Sequence, residues 1–296
     1  MLTWLFVLTR IIVNPVSNVF QKKLTHKSAD PLFIICATLA LLTVVALPCL
    51  LCLTPVRVAP AFWINIVICA LLAVAGNVFL VRSLRTTDLS IIGPLNAYKS
   101  IISLVLGIFL LNEIPTAKGL FGVILILSGS FIVADKPVNH PRKSAAVLFF
   151  SNRGVQWRFA ALIVSAVEAV FLKKALLASS PLTTFLFWSI LGFLIAAIAV
   201  AVLLKGRVRR EYPILIQNRR TYAWLALTTG LMQLSSLLTF GILQVGYSLA
   251  LFQTSSILSV FLGYRFFQET NIARRLLGSL IMILGAAFII FFGTHH

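Results

Sequence analysis

Arg10, Lys99 and Glu168 each fall near the middle of a long apolar run, where a charged side chain is costly and therefore marks a site by default. Two cations against one acid leave excess positive charge, a setting that favours a carboxylate- or phosphate-bearing solute. Amides and hydroxyls share those runs: Asn14 and Asn18 follow Arg10 at helical spacing, and Asn96 and Tyr98 accompany Lys99. Gln253 and Thr254 stand in a later run, with Asn77 and Gln233 in two others. In one reading Lys99, Arg10 and Glu168 build a pocket that binds a solute. In the other, Lys99 and Glu168 form an internal ion pair that only fixes helix packing. A third use, Glu168 as carrier of a coupling proton, stays open because burial favours the neutral form of a carboxyl.

Other chemistry is hard to assemble. The histidines are His26, His140, His295 and His296, all outside the apolar runs, and no two acids are spaced for general acid–base work. A GxxxxGK[ST] loop is missing, which removes nucleotide hydrolysis as an energy source. Cys36, Cys49, Cys52 and Cys69 all lie in apolar runs. The lone CxxC surrounds Leu50 and Leu51, so the cysteines read as small packing residues. The expectation is a protein that is not an enzyme and has no metal and no cofactor.

The elements that must hold these groups are long and apolar. Of 296 residues 60% are apolar and only 11% charged, with mean hydropathy +1.03. That polar fraction cannot coat a water-soluble fold. The net charge of +18 is gathered in short segments between apolar runs, the pattern of membrane-protein loops, so no nucleic-acid partner is expected. A crossing needs about 20 apolar residues. Ten stretches qualify: 2–21, 31–53, 60–81, 89–111, 115–134, 157–178, 181–204, 221–242, 247–267 and 272–292. At about 1.5 Å per residue, Lys99 lies roughly 15 Å into the fourth span, too deep to reach a headgroup. The first stretch reads as a retained helix, since Arg10 and Asn14 interrupt it. Lys22-Lys23 and Lys173-Lys174, at the ends of the first and sixth spans, are expected to snorkel.

The chain repeats itself. Shifted by 156, residues 95–134 fall on 251–290 without a gap and with eleven identities, including Gly107 on Gly263, Glu113 on Glu269, Gly122 on Gly278 and Gly129 on Gly285. The same shift sets Lys99 on Ser255, an asymmetry between the halves. Val19-Phe20-x-Lys22-Lys23 also resembles Val170-Phe171-x-Lys173-Lys174. The expected organisation is a first five-helix repeat at 1–135, a basic connecting loop at 136–156 and a second repeat at 157–296. Five crossings are odd, so the second copy enters from the opposite face, as in secondary transporters built from inverted repeats.

The doubled pattern of Gly, Glu six residues on, then Gly and Gly resembles the EamA-type drug/metabolite transporter superfamily. The resemblance implies an all-α, ten-helix carrier of small metabolites. Its central cavity would be lined by spans 1, 3, 4, 6, 8 and 9, with spans 5 and 10 outside. Gly122 with Gly129, and Gly278 with Gly285, each share a helix face and suit close packing. Glu113 and Glu269 precede the next span, where an acid favours the dipole of a following helix. The expected function is movement of an amino-acid-like or anionic solute across the plasma (inner) membrane by alternating access. The alternatives are a nucleotide-sugar or lipid-linked headgroup as cargo, or a non-transporting sensor or assembly subunit. Loops after the odd-numbered spans hold 19 Lys and Arg against four on the other side, which places both termini outside the cytoplasm. Relatives within the resembling family commonly have them inside.

Overall fold

The computed structural model describes residues 2–52, 58–86, 89–133, 153–255, 257–258 and 272–292. Gly263, Glu269, the connecting segment 136–152 and most of the ninth span's second half lie outside the described residues. Among those described, the regular structure is helical: α1 (Leu2–His26), α2 (Pro31–Cys52), α3 (Pro60–Thr86), α4 (Leu89–Leu111), α5 (Ala117–Val133), α6 (Arg153–Leu177) and α7 (Pro181–Leu203). A 3-10 turn (Lys205–Arg207) leads into α8 (Val208–Gln217), followed by α9 (Arg219–Phe240), α10 (Val245–Phe252) and α11 (Ile272–Phe292).

Local chemistry sets the starts. Asp30 accepts the Leu32 N–H at 2.8 Å ahead of Pro31, and Ser180 accepts the Thr183 N–H at 3.2 Å ahead of Pro181. Both place a polar cap before a proline whose missing N–H costs the first turn nothing. Thr116 caps α5 without a following proline, accepting from Gly119 N at 3.0 Å.

The bundle is inside out relative to a soluble protein. Val45, Ile64 and Ile198 point outward at 65–70% exposure, while Thr38, Ser103, Thr184 and Ser189 are buried. An apolar exterior of that extent fits hydrocarbon, not water. By length and apolar content α2, α3, α7 and α9 are membrane-span candidates. Polar residues such as Arg10 and Glu168 make α1 and α6 less apolar.

Helices of the two halves interleave. The most extensive pairings join α3 to α6, α5 to α11, α1 to α9 and α2 to α7. Glycine fixes the α5–α11 approach. A Cβ on Gly122 would lie 2.7 Å from the Gly285 carbonyl oxygen, and one on Gly129 would lie 2.7 Å from that of Gly278. Backbone meets backbone at both points, so the partner of each expected glycine face is the other face.

The segment 205–220 departs from the sequence expectation of a loop. At roughly 100° per residue, Val208, Glu211, Ile214 and Leu215 share one side of α8, Arg209 and Ile216 lie on the other, and Arg210 and Tyr212 flank it at its two edges. The first side packs inward, with Glu211 buried and accepting the Asp30 N–H at 3.0 Å. The second is exposed.

Candidate functional site

A cavity of about 170 Å³ opens at the centre of the bundle, between α1, α3, α4, α6, α7, α9 and α10. Arg10 and Asn14 reach it from α1, Lys99 from α4, Glu168 from α6 and Gln253 from α10, so distant sequence positions converge on one space. Asn18, Asn77 and Gln233 line it as well. Tyr98 and Thr254 stand outside the lining. Tyr98 faces the Phe159 ring at 5.8 Å, and the Thr254 hydroxyl donates to Leu251 O at 2.7 Å. Asn96 is on α4, with its side chain outside the described residues.

Arg10 is held from two sides. Its Nε donates to Ser236 Oγ at 2.8 Å, and its guanidinium lies 5.0 Å from the centroid of the Phe252 ring. Its Nη1 is buried without a hydrogen bond among the described residues. Asn14 is anchored by donating to Ser255 Oγ at 3.2 Å. Glu168 feels the charges of both Lys99 and Arg10. Among the described residues, however, neither comes within the 4.0 Å of a salt bridge to it. The three groups face one another across open space and do not collapse into a closed ion pair. The Cys69 thiol, directed at Glu168 Oε1 from 3.9 Å, is a weak companion to that carboxylate.

Two contributors escaped the sequence reading. Arg158 lines the cavity as a further buried cation. The sixth span was expected to begin at 157, which put Arg158 at a membrane edge; α6 begins at Arg153 and carries it about 7.5 Å inward. Trp188 is buried on the lining near Glu168. Only the neighbour an indole meets gives it a polar role, and that neighbour belongs to another helix.

The lining is also short of internal partners. Among the described residues, Gln21 Oε1, Ser100 Oγ and Gln233 Nε2 join Arg10 Nη1 as buried polar atoms that bond to no protein group. Each such atom costs about 1–3 kcal/mol unless water or a solute satisfies it. Their concentration around one polar cavity is what a site for a hydrogen-bonding solute requires.

Glu113 and Lys173 form a second cluster, outside the lining. Their side chains pair, Lys173 Nζ donates to Leu243 O at 2.8 Å, and the Val245 N–H donates to Glu113 Oε2 at 2.8 Å. Glu113 thus caps a helix as expected, but the helix is α10 in the other half and not the adjoining α5. Lys173 is buried, not snorkelling. The motif spacing has a local cause too. Left-handed Asn112 (φ 54°) turns the chain back so that Glu113 N donates to Gly107 O at 3.1 Å. A Cβ on Gly107 would then lie 3.2 Å from Glu113 Oε2, so the glycine makes room for the acid six residues on.

Comparison with known proteins gives these observations a setting. Residues 2–134 match the EamA-like transporter family. No functionally curated protein matches the chain. Among the solved structures that match, one crystal structure has a TM-score of 0.67, covering 98% of this chain and 97% of that one at 13% identity. At that identity the likeness is one of architecture alone.

Proposed function

We propose, from the premise that residues 2–134 belong to the EamA-like transporter family, that the whole chain is a secondary transporter of a small organic solute, anionic or amino-acid-like, working by alternating access. The observation that carries this reading is the central cavity, where Arg10, Lys99 and Arg158 line one space with Glu168, the one carboxylate of the lining among the described residues, inside a bundle with a lipid-compatible exterior. A solute carboxylate or phosphate would take the Arg10 and Lys99 donors, and an amine, where present, would face Glu168. A cavity of about 170 Å³ suits a compact solute better than a nucleotide-sugar.

In this reading ten crossings, α1 to α7, α9, the segment opened by α10, and α11, form two inverted repeats. The helix pairings support it. The symmetry that exchanges the first and sixth spans, and the third and eighth, exchanges the α1–α9 and α3–α6 pairs. It also returns the Gly122–Gly285 contact as Gly278–Gly129. Two packings of related energy can then open one site to either face. The charge distribution favours a plasma membrane with both termini outside the cytoplasm, and a reporter fused at His296 that proved cytoplasmic would reverse that assignment.

Uptake of labelled anionic, zwitterionic, cationic and neutral metabolites into proteoliposomes tests the proposal, paired with thermal unfolding of the detergent-purified protein. A ligand at a hundred times its Kd should stabilise by about 2.7 kcal/mol. Stabilisation and flux selective for anions or amino acids, both lost in Lys99→Ala, are expected. Wild-type binding in a folded Lys99→Ala protein would return Lys99 to a packing role.

A further inference from the structure

We propose that α8 and its flanks form a binding site for anionic phospholipid headgroups, separate from the central cavity. Lys205, Arg207, Arg209, Arg210, Arg219 and Arg220 are all exposed. The acid of this segment, Glu211, is turned inward and engaged by the Asp30 N–H at 3.0 Å, so it does not neutralise them at the surface. The helix is fixed to the bundle through Val208, Ile214 and Leu215, which pack on the main apolar core. Its cations therefore project from a rigid element.

Position selects the partner. The segment joins the ends of α7 and α9, two helices long and apolar enough to cross a bilayer, so it lies at a membrane surface. Tyr212 and Trp224 are 63% and 55% exposed beside these cations, as aromatics at a headgroup boundary are. Ile216, also exposed, shares the outer face of α8 with Arg209 and offers an apolar contact below the headgroups. The Asp30–Glu211 bond brings the α1–α2 turn alongside, and that turn adds exposed Lys23 and Lys27. Guanidinium groups match phosphate oxygens in planar, two-point fashion. A phospholipid leaflet supplies phosphate charge beside an apolar layer, the two chemistries that arginine and isoleucine on this face match.

The test uses the full-length protein in neutral detergent and measures lipid binding by native mass spectrometry. Phosphatidylglycerol and phosphatidylcholine of identical acyl chains are compared, with inorganic phosphate as competitor. Each basic residue near an anionic surface contributes about fivefold to binding. The wild type should prefer phosphatidylglycerol at least tenfold. The variant Arg209→Gln/Arg210→Gln/Arg219→Gln/Arg220→Gln should lose most of that preference, while the exposed-cation control Lys118→Gln keeps it. Equal binding of both lipids, an undiminished preference in the quadruple variant, or full displacement by millimolar phosphate would each overturn the proposal. The last outcome would mean a free-anion site, and the first would leave the surface to an acidic protein. Retention of α-helical circular dichroism by the variant separates loss of the site from loss of the fold.

Discussion

Glu113→Gln removes one charge from a buried pair and leaves the other behind. The paired side chains are each 11% exposed, and they tie the end of α4 to α6 and to the start of α10. The glutamine oxygen can still accept the Val245 N–H, now held at 2.8 Å, and Lys173 keeps its bond to Leu243 O. What is lost is compensation of the ammonium charge. Orphaning one member of a buried pair costs about 3–5 kcal/mol. The bond to Leu243 O puts this case near the lower end, at about 3 kcal/mol, a fall in Tm of roughly 5 °C. Lys173→Met should cost about as much by stranding the carboxylate. The double variant Glu113→Gln/Lys173→Met buries no unpaired charge and should lose less than either single, about 1 kcal/mol. Equilibrium unfolding in mixed micelles, run as a double-mutant cycle, gives the comparison. Losses that add to within about 0.5 kcal/mol would refute the argument, because independent sites add and coupled ones do not.

Three further outcomes are expected. Gly122→Ala should cost about 1–3 kcal/mol, since its Cβ would press on the Gly285 carbonyl and the helices must part; Gly206→Ala, with open space around it, should leave Tm unchanged. Burial, reinforced by the Asp30 charge against the pull of the Asp30 N–H, holds the Glu211 carboxyl above its ordinary value. The fold therefore favours its protonated form, and its contribution is present below about pH 4.3 and lost as pH rises through the raised folded value. Glu211→Gln should remove that part of the stability–pH profile, and parallel profiles for variant and wild type would contradict it. Ser100→Ala and Gln233→Leu should leave folding intact and weaken solute binding in titration calorimetry; unchanged affinity in both would mean their unbonded atoms face only water.

Arg10, Lys99 and Glu168 were legible as a group because an ionisable side chain amid apolar sequence signals itself without any knowledge of neighbours. Asn14 and Gln253 stood out as uncharged polar groups amid apolar sequence, and both line the cavity. Arg158 was lost to a boundary error of four residues, enough to turn an intramembrane cation into an edge residue. The glycine faces were visible from spacing, but their partners were not, since spacing records which side of a helix is small and not what it meets. Lys173 shows the limit most clearly. Lysine at a span end ordinarily snorkels, and only the return of the chain at Asn112 brings Glu113 to it. In 205–220, charge density and Pro213 masked a helical period that becomes evident once Glu211 is seen facing inward.

The contact between α5 and α11 has one more consequence. In the proposed inverted-repeat arrangement, Gly122 meets Gly285 while their counterparts Gly278 and Gly129 meet in turn, so each half carries one face of a self-complementary lock. A single half could in principle close that lock only with an oppositely inserted copy of itself, at a rate set by how often two such copies meet. Joining the halves in one chain makes the encounter intramolecular and fixes the ratio of the two orientations at one to one. It also frees each half to diverge, so that Lys99 can line the cavity while its counterpart in register is Ser255.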